Sequence, residues 1–319
     1  MPRSAPPPVC VIGLGLIGGS LLRAATQAGR DAFAYNRTRE AVKAARDEDF
    51  EVSDNLSATL ERAESSNAII VVSVPMPAVD AIFDMIARLA PQCTVTDVVS
   101  VKGAVLDAAR HHGLAERFVG GHPMAGTAES GWAASFPELF HDAAWVVAAE
   151  SDTDPNRWLD VAQLALDCGA FVVPANAADH DRAVARISHL PHVLAETLAI
   201  AGEAGQDLAL GLAAGSFRDG TRVAGASPAI VRAICEPNAK ALLTALDEAL
   251  GELQRVRESL TEKGTLGDLA DRGHAARTRY ENVERSPIEG ISVGKDGWAE
   301  KMCEAGRRGG VVRSLNELS

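Results

Sequence analysis

A chain of 319 residues with 31 Lys and Arg against 43 Asp and Glu carries a formal net charge of −12, and its length suggests two domains rather than one. The acidic balance excludes generic nucleic-acid binding, which needs a basic footprint, but leaves room for small anions held by a few local cations. Aromatic residues at 4% with an alanine-rich apolar fraction favour helix over a β-sandwich. The cysteines (Cys10, Cys93, Cys168, Cys235, Cys303) are widely spaced and lack any CxxC pattern, so neither a disulfide framework nor a metal site is expected. No apolar run reaches about 18 residues, and MPRSAPPPV is too short and proline-broken for a signal peptide. A cytoplasmic protein without membrane contact is expected.

Behind the Pro6–Pro8 lead-in, VCVIGLGLIGGSLL reads as a short buried strand, a glycine turn and a helix. The run AFAYN (32–36) is a second strand, followed by a helix from about Thr38. AIIVVSVP (68–75) is a continuous apolar run closed by proline, as in a strand buried on both faces of a parallel sheet. A helix over 77–90, a strand over 94–100, a helix over 103–112 and a strand over 117–123 continue the alternation. The strands 143–149 and 170–174, with a helix from about Asp154 between them, complete it. This alternation predicts an α/β, doubly wound parallel sheet of Rossmann type over residues 1–175. Helical period then dominates over 176–260, predicting an all-helical C-terminal domain with 176–204 as its first helix. Residues 261–319, rich in Gly and charge and weakly periodic, read as an extension that is helical or partly disordered.

Gly13-Leu14-Gly15-Leu16-Ile17-Gly18 is a GxGxxG that follows a strand and opens a helix. That context predicts a dinucleotide whose pyrophosphate meets the helix N-terminus. At the end of the second strand an NAD site wants an acid, but Asn36, Arg37 and Thr38 stand there. They suit a 2′-phosphate, so NADP is expected, with NAD as the alternative. The competing reading of Arg37 is a solvated charge on the next helix. Ser73-Val74-Pro75, then Asp97 to Lys102 with Ser100, and then Gly120 to Thr127 with His122 all follow strands at the carboxyl edge. Open α/β sheets place their ligands at that edge, and His122, between glycine and proline, is expected on a turn. In the helical part His189 and His192 share one face at i,i+3, with a kink expected at Pro191. Taken alone, this pair leaves core histidines and a site equally open, and no further metal ligands accompany it. Residues 215–222 are read as a loop carrying two guanidiniums, with Arg222 to clamp a carboxylate and Asp219 to buttress it. A surface Arg–Asp pair is the alternative.

The blocks GHPMAG (121–126), DxxSxK (97–102), DHDRAVARISHLPH (179–192) and FRDGTRVA (217–224), in this order behind the glycine motif, resemble the prephenate/arogenate dehydrogenases of tyrosine biosynthesis. The resemblance covers roughly residues 9–260. It implies oxidative decarboxylation of a cyclohexadienol, prephenate or arogenate, with hydride passing to the nicotinamide. His122 and Ser100 would be catalytic, the first as general base and the second orienting it or the hydroxyl. Arg222 would hold the ring carboxylate, and His192 or His189 would meet the side chain, with Thr127 and Asp219 completing the substrate set. Gly13, Gly15, Leu16, Ile17, Gly18, Asn36, Arg37, Thr38, Ser73, Val74, Pro75 and Ser100 would hold the cofactor. A homodimer through the helical domain is implied.

Three positions depart from the family's usual pattern. Ala128 follows Thr127 where an acid is common, with Glu129 one place on; Ala226 and Ser227 precede Pro228 where Asp is frequent; and Val231 replaces a common tryptophan. These bear on prephenate against arogenate rather than on the ring chemistry. The competing enzyme reading, a β-hydroxyacid dehydrogenase, lacks its helical-half lysine here and leaves HLPH and GHPMAG unexplained. A non-catalytic NADP sensor would have no reason to keep Ser100, His122 and Arg222. The last 59 residues show no alternating-strand pattern, so a complete tyrosine-sensing domain is not expected.

Overall fold

The computed structural model describes residues 6–127 and 129–318. They fall into two units, Met1–His180 with Arg285–Ser319, and Asp181–Glu284. In the first unit the apolar runs become β1 (Val9–Ile12), β2 (Ala32–Tyr35), β4 (Ile69–Val72), β5 (Val95–Asp97) and β6 (Phe118–Val119). A two-residue β3 (Val52–Ser53), too short to show a period, adds an edge. All six are parallel, in the order β3-β2-β1-β4-β5-β6. Helices α1 (Leu16–Gln27), α2 (Arg39–Arg46), α3 (Leu56–Ser66), α4 (Met76–Leu89) and α5 (Gly103–His111) link the strands. Alternate side chains of β1 and β4 enter two separate cores: Val9, Val11, Ile69 and Val71 on one face, Cys10, Ile12, Ile70 and Val72 on the other. Burial on both faces explains why these strands read as unbroken apolar runs.

The sequence pattern continues one parallel sheet through residues 143–149 and 170–174, but the later strands do not join it. β7 (Gly121–Pro123), β8 (Ala144–Ala148) and β9 (Phe171–Ala175) form a second sheet, with β7 antiparallel and β9 parallel to β8. Between β8 and β9 lies α6 (Pro155–Asp167), capped by Asp154, whose carboxylate accepts the N–H groups of Asn156 and Arg157. The chain leaves the main sheet at Gly121, which crosses the end of β5 so closely that a Cβ there would lie 2.6 Å from the Asp97 carbonyl oxygen.

α7 (Ala177–Val184) spans the break between the units. A π-helical turn over Ala185–His189 follows, and then α8 (Leu190–Glu203). Pro191 sits in the first turn of α8, where its missing N–H costs little. The irregularity expected at the proline appears one turn earlier, as the π turn. The second unit continues with α9 (Gln206–Leu212), α10 (Gly215–Thr221), α11 (Pro228–Cys235), α12 (Ala239–Lys263) and α13 (Leu269–Glu281). Residues 215–221, read as loop from their glycines, are therefore helical. The buried apolar side chains of the second unit, among the described residues, are small: Val184, Ala185, Ala195, Cys235 and Ala245. Ile187, Ile200, Leu208, Leu212 and Leu243 are more than half exposed.

Residues 261–319 divide between the units. Those from 285 onward return to the small sheet, where Val312 exchanges backbone hydrogen bonds of 2.8 and 2.9 Å with Val172 of β9. α14 (Trp298–Arg307) lies against β9 so tightly that a Cβ on Gly306 would meet the Pro174 carbonyl oxygen at 2.0 Å. Trp298 packs edge-on against Trp158 of α6, with ring centroids 5.6 Å apart. Among the described residues no helix is long and apolar enough to cross a membrane, and no cluster of three or more His, Cys, Asp or Glu side chains forms a metal site.

Candidate active site

The glycine turn is shaped by close approach on one side and open space on the other. Gly13 has φ +104°, and a Cβ there would lie 2.4 Å from the Ser73 carbonyl oxygen; on Gly18 it would lie 2.0 Å from the Gly13 carbonyl oxygen. Only glycine permits that backbone conformation and these contacts. A Cβ on Gly15 would meet nothing within 4 Å. Gly15 caps α1 without a side-chain bond, so the first N–H groups of the helix, at Leu16 and Ile17, have no capping side chain. A pyrophosphate fits such a cradle. Ser73, Val74 and Pro75 follow β4 beside it, Pro75 serving as the N-cap of α4.

Asn36 is already engaged. Its Oδ1 accepts the Leu14 N–H at 2.9 Å, and its Nδ2 donates to the Thr38 carbonyl at 3.4 Å. The side chain first of all fastens the end of β2 to the glycine turn, which spacing alone did not reveal. Arg37 is exposed, with no ion pair among the described residues. Thr38, the N-cap of α2, is exposed and makes no side-chain capping bond.

Ser100 and His122 are held through one buried ion pair. Lys102 and Asp97 are 1% and 0% exposed and bonded to each other. The Lys102 ammonium also donates to the Gly121 carbonyl at 2.7 Å, while Asp97 accepts the Gly121 N–H at 3.0 Å through Oδ1 and the Val99 N–H at 3.0 Å through Oδ2. Burial pushes the Asp97 carboxyl above the ordinary carboxylate range, with the Lys102 charge and the two backbone N–H groups drawing it back. Both backbone polar groups of Gly121 are thus fixed by a single pair, and Ser100, half-buried, follows the segment that Asp97 pins. Asp97 and Lys102 lay within the DxxSxK block, but their partner at Gly121 is 24 residues from Asp97 and left no local signal.

His122 is not on a turn. It occupies the middle of β7 opposite Val146, with Gly121 and Pro123 buried to either side and His122 on the half-buried face. Its Nδ1 lies 2.8 Å from Nε2 of His180, an almost fully buried residue of α7 that sequence reasoning passed over. The rings meet edge-on, with centroids 5.1 Å apart.

In the second unit the two SHLPH histidines separate. His189 is 1% exposed, its Nδ1 lies 3.2 Å from the Asn238 amide, and its carbonyl faces the Cys235 thiol, so it is packed inside this unit. His192 is half-buried, and its Nδ1 has no hydrogen-bond partner among the described residues. Arg222 begins the 3₁₀ turn Arg222–Gly225 after α10 and is exposed. Asp219 is exposed as well, and the expected Asp219–Arg222 buttress is not formed among the described residues. The Thr127 hydroxyl accepts the Glu129 N–H at 3.2 Å; Ala128 lies outside the described residues.

Comparison with known proteins places this geometry. The family model for the prephenate dehydrogenase nucleotide-binding domain matches residues 21–174, and that for the prephenate dehydrogenase dimerization domain matches residues 176–270. Prephenate dehydrogenase of Bacillus subtilis is 31% identical over 258 residues, which are 78% of this chain and 69% of that protein. A Corynebacterium glutamicum structure assigned as a prephenate dehydrogenase is 49% identical with TM-score 0.91, over 96% of this chain and 98% of its own. Synechocystis arogenate dehydrogenase is 30% identical with TM-score 0.74, over 85% and 99% of the two chains. With both domain models matched in the order that the sequence blocks imply, the chain belongs to the prephenate dehydrogenase family.

Proposed function

We propose that this dehydrogenase of tyrosine biosynthesis oxidatively decarboxylates prephenate or arogenate with a preference for NADP, using His122 as base and Arg222 as carboxylate clamp. When bound, the dinucleotide supplies the hydride acceptor. The Gly15 cradle and the α1 N-terminus hold its pyrophosphate. Arg37, with no acid beside it at the end of β2, pairs with the 2′-phosphate. The unpaired, exposed Arg37 is the observation that carries the NADP preference.

His122 takes the ring hydroxyl proton as hydride leaves the same carbon. The electrons of the breaking ring-to-carboxylate bond pass into the ring as carbon dioxide departs. Aromatisation drives the step, and the His122 imidazolium returns its proton to the ring oxygen as the phenol forms, so no separate decarboxylation machinery is required. Ser100 hydrogen-bonds the reacting hydroxyl, and His192, with its unpartnered Nδ1, contacts the substrate side chain. His189 packs against Asn238 instead. The exposed leucines and isoleucines of the second unit support a homodimer, because that unit buries only small apolar side chains by itself.

The test is the appearance of reduced nicotinamide absorbance with prephenate or arogenate and either dinucleotide. The expected result is a kcat/KM at least tenfold higher with NADP, and near-total loss in His122→Asn with dinucleotide binding retained. Equal use of NAD overturns the preference, and an active His122→Asn variant overturns the base assignment.

A further inference from the structure

We propose that His180 is the positioning residue that sets the tautomer of His122, a proposal that rests on His122 being the base. A base must present a lone pair at the nitrogen facing the substrate. In the 2.8 Å contact between His122 Nδ1 and His180 Nε2, one nitrogen carries the hydrogen and the other accepts it. If His180 donated, neutral His122 would carry its proton on Nε2 and have no lone pair to offer there. With His180 Nε2 as acceptor, the His122 proton stays on Nδ1 and Nε2 keeps its lone pair. When Nε2 then takes the substrate proton, the Nδ1–H bond to His180 becomes charge-assisted and favours the imidazolium. A neutral imidazole here takes the place that a carboxylate holds in Ser-His-Asp sites.

Both partners are held in advance. Gly121, next to His122, is fixed by Asp97 and Lys102. The first turn of α7, which carries His180, is fixed from three sides. The Glu150 carboxylate accepts the Ala177 N–H at 2.6 Å, the Asn176 carbonyl oxygen Oδ1 accepts the Asp179 N–H at 2.8 Å, and Arg307 of α14 pairs with Asp179 at 2.7 Å. His180 is itself 3% exposed, so water does not readily replace it as acceptor. Preorganisation of this kind is what a group acting through another requires.

The experiment compares His180→Leu, His180→Gln, His122→Asn and the double variant His122→Asn/His180→Leu by steady-state kinetics. Nitrogen-15 spectra of histidine-labelled wild-type enzyme, assigned with His122→Asn, accompany them. In His180→Leu, kcat is expected to fall about 100-fold, the low end for a general-base contribution, with both KM values within about threefold. His180→Gln, which keeps an acceptor, recovers at least tenfold of that loss. His180→Leu costs nothing further in the His122→Asn background, since the two act as one unit. The spectra are expected to show the His122 proton on Nδ1. An Nε2-protonated His122 in the wild type overturns the proposal even if the variants fail to fold. An unchanged kcat in His180→Leu beside an inactive His122→Asn also overturns it while leaving the base assignment standing. An active His122→Asn removes the base assignment and the positioning role with it.

Discussion

Replacing Lys102 by methionine tests whether the buried pair holds the strand that carries His122. The ammonium is 1% exposed and bonds both Asp97 and the Gly121 carbonyl, so its removal strands a carboxylate that no solvent reaches. Breaking a buried pair from one side costs about 3–5 kcal/mol, and the donor lost by the Gly121 carbonyl adds ~1 kcal/mol. For a cooperative unit of this size, a loss near 4 kcal/mol corresponds to a fall in Tm of roughly 8–16 °C. The deficit also has a sign in pH. The folded-state pKa of Asp97 is already raised by burial, and loss of Lys102 raises it further. A carboxyl with a raised folded pKa contributes stability below its unfolded value, about 4, and loses it as pH rises through the folded value. The difference between Lys102→Met and wild type should therefore be smallest near pH 5 and widen toward pH 8 in calorimetric or denaturant unfolding. Asp97→Asn added to Lys102→Met removes the stranded charge and should recover at least ~2 kcal/mol. A deficit below ~1 kcal/mol, or one that does not change with pH, refutes the reasoning.

Three further outcomes follow from the same geometry. Gly13→Ala meets the Ser73 carbonyl at 2.4 Å in a positive-φ backbone and should destabilise the fold by ~2–4 kcal/mol by thermal melting, whereas Gly15→Ala, with open space around it, should keep the melting temperature and raise the dinucleotide KM. Arg222→Ala should raise the substrate KM by about 10- to 100-fold, the ~1.5–3 kcal/mol of a charged hydrogen bond, with kcat changed far less; an unchanged KM removes Arg222 from the site. Leu208→Glu with Leu212→Glu, both about three-quarters exposed on α9, should shift the mass measured by light scattering from dimer to monomer if that face is shared between copies, each leucine contributing ~1.5–3 kcal/mol of burial.

The parts of the fold that are local were legible from the residues. The glycine turn, the doubly buried strands and the helical second unit each follow from spacing or period within a few turns of chain. What stayed hidden depends on partners distant in sequence. That β7 leaves the main sheet is decided at Gly121 by its approach to Asp97, which no alternation pattern reports. Asn36 was read only as part of a 2′-phosphate site, because its bond to the Leu14 N–H crosses 22 residues and leaves no local signal. His180 was overlooked because its partner His122 is 58 residues away, although it stands in the DHD block that carried the family resemblance. Spacing at i,i+3 puts both HLPH histidines on one face, and only the resemblance favours His192. Packing against Asn238 then distinguishes His189 from His192.

The return of the chain from residue 285 to the small sheet sets an order of events during synthesis. β9 is an edge strand of its sheet, and its Val172 pairs with Val312, which is translated only after the whole helical unit. At the usual pace of synthesis that interval is on the order of 10 s. During it, the rim of β9 and the Trp158 surface await their covers, Val312 and Trp298. An unpaired strand rim of this kind invites pairing with another chain. The nascent protein is therefore most prone to association at this stage, when its dinucleotide fold is formed and the covering helix α14 and the bridge at Val312 have not yet been made.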